Sequence, residues 1–306
     1  VVDPGPLANQ RFYLVVAACQ GTPAACGEMV SIPAGSFTMG DALDGESDAL
    51  PLHTVSVSAF CMDSNLVSYT LWQQVYQWAT TNRYSLWLAG SGKAANHPVQ
   101  NIIWYDVLKW CNARSEMGGL TPCYYTDASQ TTVYRTGQID LQASFVNWSA
   151  NGYRLPTEAE WEKAARGGLS GRRFPWGDTI SESQANYFGD TTDYSYDLGP
   201  NGLNAAFDTG ASPYTSPVGS FAPNGYGLYD MAGNVEEFCW DSYSSTYYSS
   251  SPGTDPRGPA SSPDGYRVLR GGSWYYWASY SRCANRDDNG PAVGSYIYGF
   301  RCVKAH

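Results

Sequence analysis

Residues 154–166 read Arg-Leu-Pro-Thr-Glu-Ala-Glu-Trp-Glu-Lys-Ala-Ala-Arg, and this stretch carries the clearest structural signal in the sequence. Thr157 is followed three residues later by Glu160, and the two side chains can satisfy free backbone amides at the start of a helix, the arrangement called a capping box. Two glycines follow Arg166, and glycine favours a helix end. The stretch therefore predicts a helix that begins after Thr157 and ends at about Arg166.

Shorter patterns on either side of this stretch predict further elements. Residues 29–40 and the alternating apolar positions in residues 55–59 are typical of β-strands. Apolar side chains recur at helical spacing in residues 68–79 and 103–113, which predicts two short helices. After residue 172, closely spaced Pro, Gly, Asn, Ser and Tyr predict turns up to the C-terminus.

No linker-like tract or change of composition divides the chain, so we expect residues 1–306 to form a single domain. Residues 1–26 would be an N-terminal extension or strand of it. Within them, residues 12–19 form a short apolar run that ends in Ala-Ala-Cys. Such a run is typical of a β-strand, which is the favoured interpretation. Small residues before Cys19 are also typical of a bacterial lipoprotein signal, which would make the protein lipid-anchored.

Composition excludes several classes of protein. Hydrophobic residues make up 43% of the chain and charged residues 15%, which is typical of a globular protein with a sizeable core. The net charge of -10, from 18 basic and 28 acidic residues, argues against a nucleic-acid partner, because binding to phosphates needs a basic surface. No apolar run reaches the length of about 18 residues that is typical of a membrane-spanning helix, so we expect no transmembrane segment.

The eight cysteines are scattered without a C-x-x-C motif, and the three histidines lie far apart, which argues against a zinc site. Scattered cysteines in an acidic chain rich in Tyr and Ser favour an exported protein with one or two disulfide bonds. A reduced protein with buried thiols is the alternative.

Several strings, spread in order over residues 27–304, resemble the formylglycine-generating-enzyme family, also called the sulfatase-modifying factors. The resemblance implies an α+β fold of the C-type-lectin-like class, in the formylglycine-generating-enzyme subtype, with many loops and short strands. The strings include the helix stretch in residues 152–168, Gly-Tyr-Gly-Leu-Tyr-Asp-Met-Ala-Gly-Asn in residues 225–234, Leu-Arg-Gly-Gly-Ser-Trp in residues 269–274 and Gly-Phe-Arg in residues 299–301.

The resembling enzymes oxidise a substrate cysteine at a copper ion that two cysteines hold. Those cysteines lie two and seven residues after the aromatic residue that closes the Arg-Gly-Gly-Ser-aromatic string. Counted from Trp274, the two positions are Tyr276 and Ser281, and neither a phenol nor a hydroxyl is the soft thiolate ligand that copper(I) requires. We therefore expect no copper and no enzymatic activity. A formylglycine-generating-type copper oxidase with another ligand set is the alternative.

The end of the chain has a second, narrower resemblance, to the variable proteins of diversity-generating retroelements, of the Treponema type. In that system, reverse transcription randomises adenines in the Asn codons of a template, so that a fixed framework carries a hypervariable surface. Randomised AAC codons never encode Lys, Glu, Gln or Met, and residues 275–298 contain none of these four. Trp277 cannot arise from AAC, so it either belongs to the framework or counts against this interpretation.

The second resemblance implies that residues 270–303 form a variable, ligand-binding region on a lectin-like scaffold. The tyrosines and serines there suit this role, because tyrosine supplies a large amphipathic contact area at low entropic cost. Packing of the same tyrosines inside a tyrosine-rich protein is the alternative. The predicted ligand-binding residues are Tyr275, Tyr276, Trp277, Ser279, Tyr280, Asp287, Asp288, Asn289, Val293, Ser295, Tyr296 and Tyr298.

We expect the partner to be a protein, such as a host or microbial surface protein, bound by a monomer that is exported to the bacterial cell surface. A purely structural protein of the cell envelope is a further hypothesis. The enzyme resemblance also implies a disulfide bond between Cys111 and Cys302, which would suit an exported protein.

The enzyme resemblance further implies structural calcium. The resembling enzymes bind one calcium ion near the positions of Asn234 and Glu237, whose side chains carry the hard oxygen atoms that calcium prefers. A second site would use Asn186 and the carbonyl of Tyr187. Hydrogen bonding within a tight loop is the alternative role for Asn234 and Glu237.

Overall fold

The computed structural model of the protein describes residues 26–306. The strand or lipoprotein signal expected in residues 12–19 therefore lies outside the described residues. The described helices are α1 (Tyr69–Thr81), α2 (Trp104–Met117) and α3 (Glu158–Ala165). The described strands are β1 (Val30–Ile32), β2 (Gly35–Met39), β3 (His53–Val57), β4 (Phe60–Met62), β5 (Phe188–Gly189), β6 (Gly202–Leu203), β7 (Glu236–Ser242), β8 (Arg267–Arg270), β9 (Asp287–Asn289), β10 (Tyr298–Gly299) and β11 (Val303–Ala305).

The capping box predicted before α3 is present. The Thr157 hydroxyl accepts a hydrogen bond from the Glu160 amide at 3.2 Å, and the Glu160 carboxylate accepts one from the Thr157 amide at 2.8 Å. The helices predicted in residues 68–79 and 103–113 are confirmed as α1 and α2. Both end a few residues later than expected, because the apolar pattern marks only the buried stretch of a helix.

The strands form small, separate sheets. The largest has the order β10-β7-β8-β9, in which β10 runs parallel to β7 and the other neighbours are antiparallel. A second sheet has the order β1-β4-β11, so that the last strand of the chain pairs with one of the first. Strands β2 and β3 form an antiparallel pair. Short strands, three helices and long connections confirm the predicted α+β fold with many loops.

Two groups of buried apolar side chains form most of the core. In the first, Trp72 of α1 stacks on Trp110 of α2 with ring centroids 5.5 Å apart, and Phe300 meets both rings edge-on. The second group packs α3 against β2, β3, β7 and β8. The end of the chain is therefore tied into the core through Phe300 and β11.

Buried ion pairs anchor the C-terminal segment, which we define as residues 270–303. Glu158 of α3 binds the guanidinium of Arg286 with both carboxylate oxygens, at 2.6 and 3.0 Å. Glu237 of β7 binds Arg301 in the same way, at 2.8 and 2.9 Å. Removing one member of such a pair leaves a buried charge uncompensated, at a cost of about 3–5 kcal/mol. These ion pairs fix the backbone path of the C-terminal segment. The exposed side chains of the segment take no part in them.

Two glycines turn the chain where the C-terminal segment leaves β8. Gly271 and Gly272 have φ angles of 93° and 68°, values that other residues adopt only under strain. A Cβ atom on Gly272 would lie 2.8 Å from the carbonyl carbon of Tyr280. The turn therefore needs glycine both for its backbone angles and for the close approach of the next loop.

The structure corrects the predicted disulfide bonding. Cys111 and Cys302 are buried thiols with Sγ atoms 3.6 Å apart, well beyond the length of about 2.05 Å of a disulfide bond. The fold brings these two residues together without joining them. The bond that is formed links Cys26 to Cys61 in β4, and sequence analysis did not identify this pair. In residues 26–306, no helix is both long and apolar enough to cross a membrane.

Candidate ligand-binding face

Most of the predicted binding residues lie on one continuous piece of chain that crosses the surface between β8 and β11. Tyr275, Trp277, Val293 and Tyr296 are the most open, each with 44–55% of its area exposed to solvent. The remaining residues of the set that reach the surface are half-buried: Tyr276, Ser279, Tyr280, Asp287, Asp288, Asn289 and Ser295.

Tyr298 is the exception, since the structure buries it and leaves 5% of its area exposed. It lies in β10, opposite Glu236 of β7, and its ring packs against Phe238 with centroids 5.7 Å apart. Its hydroxyl accepts a hydrogen bond from the Asn289 side chain. The role predicted for Tyr298 at the surface is therefore corrected to core packing, because the strand pairing turns the ring inward.

The tyrosines of the face form a continuous row of rings. Tyr276 stacks on Tyr280 with centroids 4.4 Å apart, and Tyr275 follows at 6.0 Å from Tyr276. Buried Trp274 lies beneath the row, 5.5 Å from the ring of Tyr275 and 6.0 Å from that of Tyr296. A rigid buried indole thus supports exposed phenols, which is the arrangement that aromatic contact surfaces use.

A cleft of about 660 Å³ opens beside this row. Trp277 and Tyr280 form one wall, and Tyr194 and Tyr196 form another. The acidic stretch that contains Asp44, Glu46 and Asp48 closes the cleft. Sequence analysis did not identify the loops around residues 44–48 and 193–196 as part of the face, because no periodic pattern or motif links them to the C-terminal segment. The cluster of acidic residues in 41–48 was the one available signal.

Glu236 is a further residue that sequence reasoning missed. It is fully buried at the start of β7, and its side chain forms a hydrogen bond with that of Asp287. Burial, together with the neighbouring carboxyl group of Asp287, raises the pKa of Glu236 well above its usual value. Burial also raises the pKa of Asp287. A carboxyl pair therefore lies directly under the face.

The two positions expected to lack copper ligands, Tyr276 and Ser281, both lie in the C-terminal segment. Tyr276 is half-buried in its stack with Tyr280, and Ser281 is fully buried two residues before Cys283. Burial raises the pKa of the Cys283 thiol to about 12, which keeps it protonated. Copper(I) binds to thiolates, and a buried thiol with a high pKa is chemically inert. The local chemistry offers a phenol, a hydroxyl and one thiol.

The residues expected to bind calcium take part in hydrogen bonds of the scaffold. Arg301 occupies both carboxylate oxygens of Glu237. The side-chain oxygen of Asn234 accepts a hydrogen bond from the Ser216 amide at 3.0 Å, and the Asn234 amide donates to the Asn186 carbonyl at 2.7 Å. Glu237 therefore does not fit a calcium ligand in this conformation, because its charge is already neutralised.

The second expected calcium site is similarly engaged. The Asn186 side chain donates to the Tyr214 carbonyl at 2.9 Å, and buried Tyr187 donates its hydroxyl proton to Asp197. Within residues 26–306, no group of three or more His, Cys, Asp or Glu side chains is arranged to hold a metal ion. Calcium binding at Asn234, Asn186 and Tyr187 stays a prediction.

Residues 16–306 match the family described as the sulfatase-modifying factor enzyme 1-like domain. The chain belongs to this family. It is 35% identical over 333 residues to the formylglycine-generating enzyme of Streptomyces coelicolor, a match that covers 98% of this chain and 92% of that enzyme. It is 33% identical over 297 residues to the serine/threonine-protein kinase pkn1 of Chlamydia pneumoniae, covering 90% of this chain but 38% of that protein.

Among solved structures, this member of the sulfatase-modifying-factor family resembles Treponema denticola variable protein 1. The TM-score is 0.68 at 30% sequence identity, and the match covers 91% of this chain and 95% of that one. Both predicted resemblances and the C-type-lectin-like fold are thereby confirmed. Proteins similar to this one are named as an enzyme, a kinase and a variable protein, so membership of the sulfatase-modifying-factor family does not decide the function.

Proposed function

We propose that this protein is a non-catalytic, diversified ligand-binding protein whose residues 270–303 recognise varied ligands. The observation that carries the proposal is the exposed aromatic face, in which Tyr275, Trp277 and Tyr296 present large ring areas to solvent. Such residues dominate the binding energy of protein interfaces. The similarity to a protein named variable protein 1 supports the same function.

The residues that anchor the C-terminal segment differ from those that form its exposed face, which favours diversification of the face. Arg286 and Arg301 are buried and hold the segment through ion pairs with the scaffold. The exposed side chains beside them make no such contacts, and substitutions at exposed positions change stability by about 0.5 kcal/mol or less. The face can therefore change its sequence while the fold is kept.

The face suits a protein ligand best. The partner would be a host or microbial surface protein, and this protein would bind it as a monomer. Tyrosine and tryptophan side chains gain affinity from apolar contact and keep a hydrogen-bonding group, as in antibody paratopes. The overall charge of -10 is unfavourable for nucleic acid.

The same proposal includes export to the bacterial cell surface, with a lipid anchor as one mode of attachment. The disulfide between Cys26 and Cys61 supports export, because such bonds persist in oxidising compartments and are rare in the cytosol.

A formylglycine-generating-type copper oxidase is the second candidate. The identity of 35% with the Streptomyces coelicolor enzyme over nearly the whole of both chains favours it. The phenol of Tyr276 and the hydroxyl of Ser281, at the positions of the two copper-binding cysteines, weigh against it, because neither is a soft ligand. The ligand-binding function is therefore preferred.

A displayed library tests the proposal. Codons 275, 277, 293 and 296 are randomised, and the library is selected for binding to hen egg-white lysozyme as an arbitrary protein probe. We expect specific binders whose melting temperatures stay close to that of the parent protein. Unfolding of most variants, or equal recovery of binders from a control library, would contradict the proposal. The control library is randomised at four exposed apolar positions elsewhere: Leu52, Met117, Leu169 and Tyr266.

A further inference from the structure

We infer that the cleft beside Trp277 and Tyr280 binds a lysine or arginine side chain of the protein ligand. This inference rests on the proposed function and deepens it, since it names the chemistry of one contact that the face makes. It also assigns part of the recognition to the scaffold, outside residues 270–303.

The first observation is an excess of carboxylates in the cleft. Five acidic side chains line it, against the two arginines Arg173 and Arg286. Both guanidinium groups are already bound: Arg173 to Asp44, with N–O distances of 3.0–3.1 Å, and Arg286 to Glu158, which does not line the cleft. The acidic residues of the lining are Asp44, Glu46, Asp48, Asp193 and Asp287.

Three of these five carboxylates have no ion pair within residues 26–306, namely Asp48, Asp193 and Asp287. Asp48 accepts a single hydrogen bond from the Tyr243 hydroxyl at 3.0 Å. Asp193 is exposed and makes no side-chain hydrogen bond to other described residues. Asp48 and Asp287 are half-buried, and a partly desolvated carboxylate attracts a cationic donor more strongly than one in open water.

The second observation is Glu236 beneath the cleft. This carboxyl group is fully buried, and its side chain forms a hydrogen bond with that of Asp287 in the cleft lining. Burial raises the pKa of Glu236 well above its usual value, so Glu236 keeps its proton and donates it to this bond. The bond favours the ionised form of Asp287, which is the form that attracts a cation.

The third observation is the aromatic lining. The ring centroid of Tyr194 lies 6.5 Å from that of Trp277 and 5.7 Å from that of Tyr196. Aromatic faces next to carboxylates bind ammonium and guanidinium groups through cation–π and charge interactions together. The protein already uses this combination at one end of the cleft, where Arg173 lies 5.0 Å from the Tyr196 ring and pairs with Asp44.

The residues that line the cleft come from both the scaffold and the C-terminal segment. Asp48 and Asp193 belong to the scaffold, whereas Trp277, Tyr280 and Asp287 belong to the C-terminal segment. Variation within residues 270–303 would thus change the walls of the cleft and leave its scaffold carboxylates in place. Different variants would recognise different ligands and share a preference for a basic side chain at this point.

Fluorescence anisotropy with two labelled peptides tests the inference. One peptide carries three lysines separated by Gly-Ser spacers, and the other carries three glutamines in the same frame. We expect the parent protein to bind the lysine peptide more tightly. The variant Asp48→Asn/Asp193→Asn should bind it about threefold to tenfold more weakly, the effect of losing two partly exposed charge contacts. The variant should keep the parent melting temperature, because asparagine at position 48 retains an acceptor for the Tyr243 hydroxyl and the Asp193 side chain makes no hydrogen bond to other described residues.

A matched control removes two exposed charges that do not line the cleft, in the variant Glu28→Gln/Asp208→Asn. If the control variant lost as much affinity for the lysine peptide, the inference would be overturned, because the net charge of the protein would then explain the effect. Equal binding of the two peptides by the parent protein would also overturn it. Spermidine is tested as a competitor of the lysine peptide. If spermidine bound more tightly than the peptide, the cleft would be assigned to a free polyamine and not to a side chain of a protein ligand. Each of these failures leaves the proposed function standing, because the display library tests that separately.

Discussion

The ring of Tyr276 stacks on the ring of Tyr280, with centroids 4.4 Å apart and planes inclined by 17°. Sequence analysis predicts that Tyr276 corresponds to the first copper-binding cysteine of the resembling enzymes. Burial raises the pKa of Tyr276 above its usual value, so its phenol stays neutral at physiological pH. The position predicted to match a copper ligand therefore holds a stacked pair of aromatic rings in this chain.

The face and the core should respond differently to loss of a tyrosine ring. Tyr275→Ala and Tyr296→Ala each remove an exposed ring, so we predict that the free energy of unfolding falls by about 0.5 kcal/mol or less. Tyr298→Ala removes a buried ring and should cost about 3 kcal/mol or more. Urea unfolding followed by fluorescence measures all three. A loss of several kcal/mol for Tyr275→Ala would mean that the face is part of the core.

Copper binding should be absent from the parent protein and introduced by two substitutions. We predict that the parent protein does not compete with a chromogenic copper(I) chelator. The variant Tyr276→Cys/Ser281→Cys supplies a thiol at each of the two ligand positions and should compete, because thiolates are the ligands that copper(I) prefers. Stoichiometric copper(I) binding by the parent, with oxidation of a cysteine-containing peptide, would establish the copper-oxidase alternative.

Asp230 should make stability depend on pH. Burial raises the pKa of Asp230 to about 6 from its ordinary value of 3.8, so the folded state holds the proton more tightly than the unfolded chain. This contribution is present at low pH and is lost as the pH rises through about 6.

Asp230→Asn should remove that dependence. Between about pH 4 and about pH 7, the free energy of unfolding of the parent should fall by about 2 kcal/mol more than that of the variant. Chemical unfolding at both pH values measures the difference. Parallel pH profiles for the two proteins would show that the Asp230 carboxyl group titrates normally.

Calcium should have little effect on the folded protein. Arg301 neutralises Glu237, the one carboxylate of the expected ligand set, so we predict that excess EDTA leaves the melting temperature unchanged. Magnesium chloride at equal ionic strength is the control for a general salt effect. A rise in melting temperature with calcium alone would show that backbone carbonyls near Asn234 or Asn186 bind the ion without Glu237.

Local signals in the sequence predicted local structure well. Thr157 and Glu160 are three residues apart, and their capping box could be predicted because it depends on nothing distant in the chain. The burial of Tyr298 could not be predicted in this way. Nothing local in the sequence distinguishes Tyr298 from Tyr296, and the pairing of β10 with β7 is what turns the Tyr298 ring inward. The Cys26–Cys61 bond likewise depends on strand pairing.

The candidate site was predicted only in part for the same reason. The predicted residues from 275 to 298 could be identified because the resemblance to variable proteins covers one continuous stretch of chain. Asp48, Asp193 and Glu236 reach the site from three distant parts of the chain, and no spacing rule connects them. Their contribution is electrostatic and follows from the tertiary arrangement alone.

Sequencing codons 270–303 of the gene across a population of cells tests whether a fixed scaffold presents a diversified binding face. A nearby near-identical template copy is sequenced alongside. We expect substitutions that are confined to template adenines and concentrated at the exposed positions of the face, with Arg286 and Arg301 unchanged. A uniform sequence in every cell, with no template copy, would contradict this expectation.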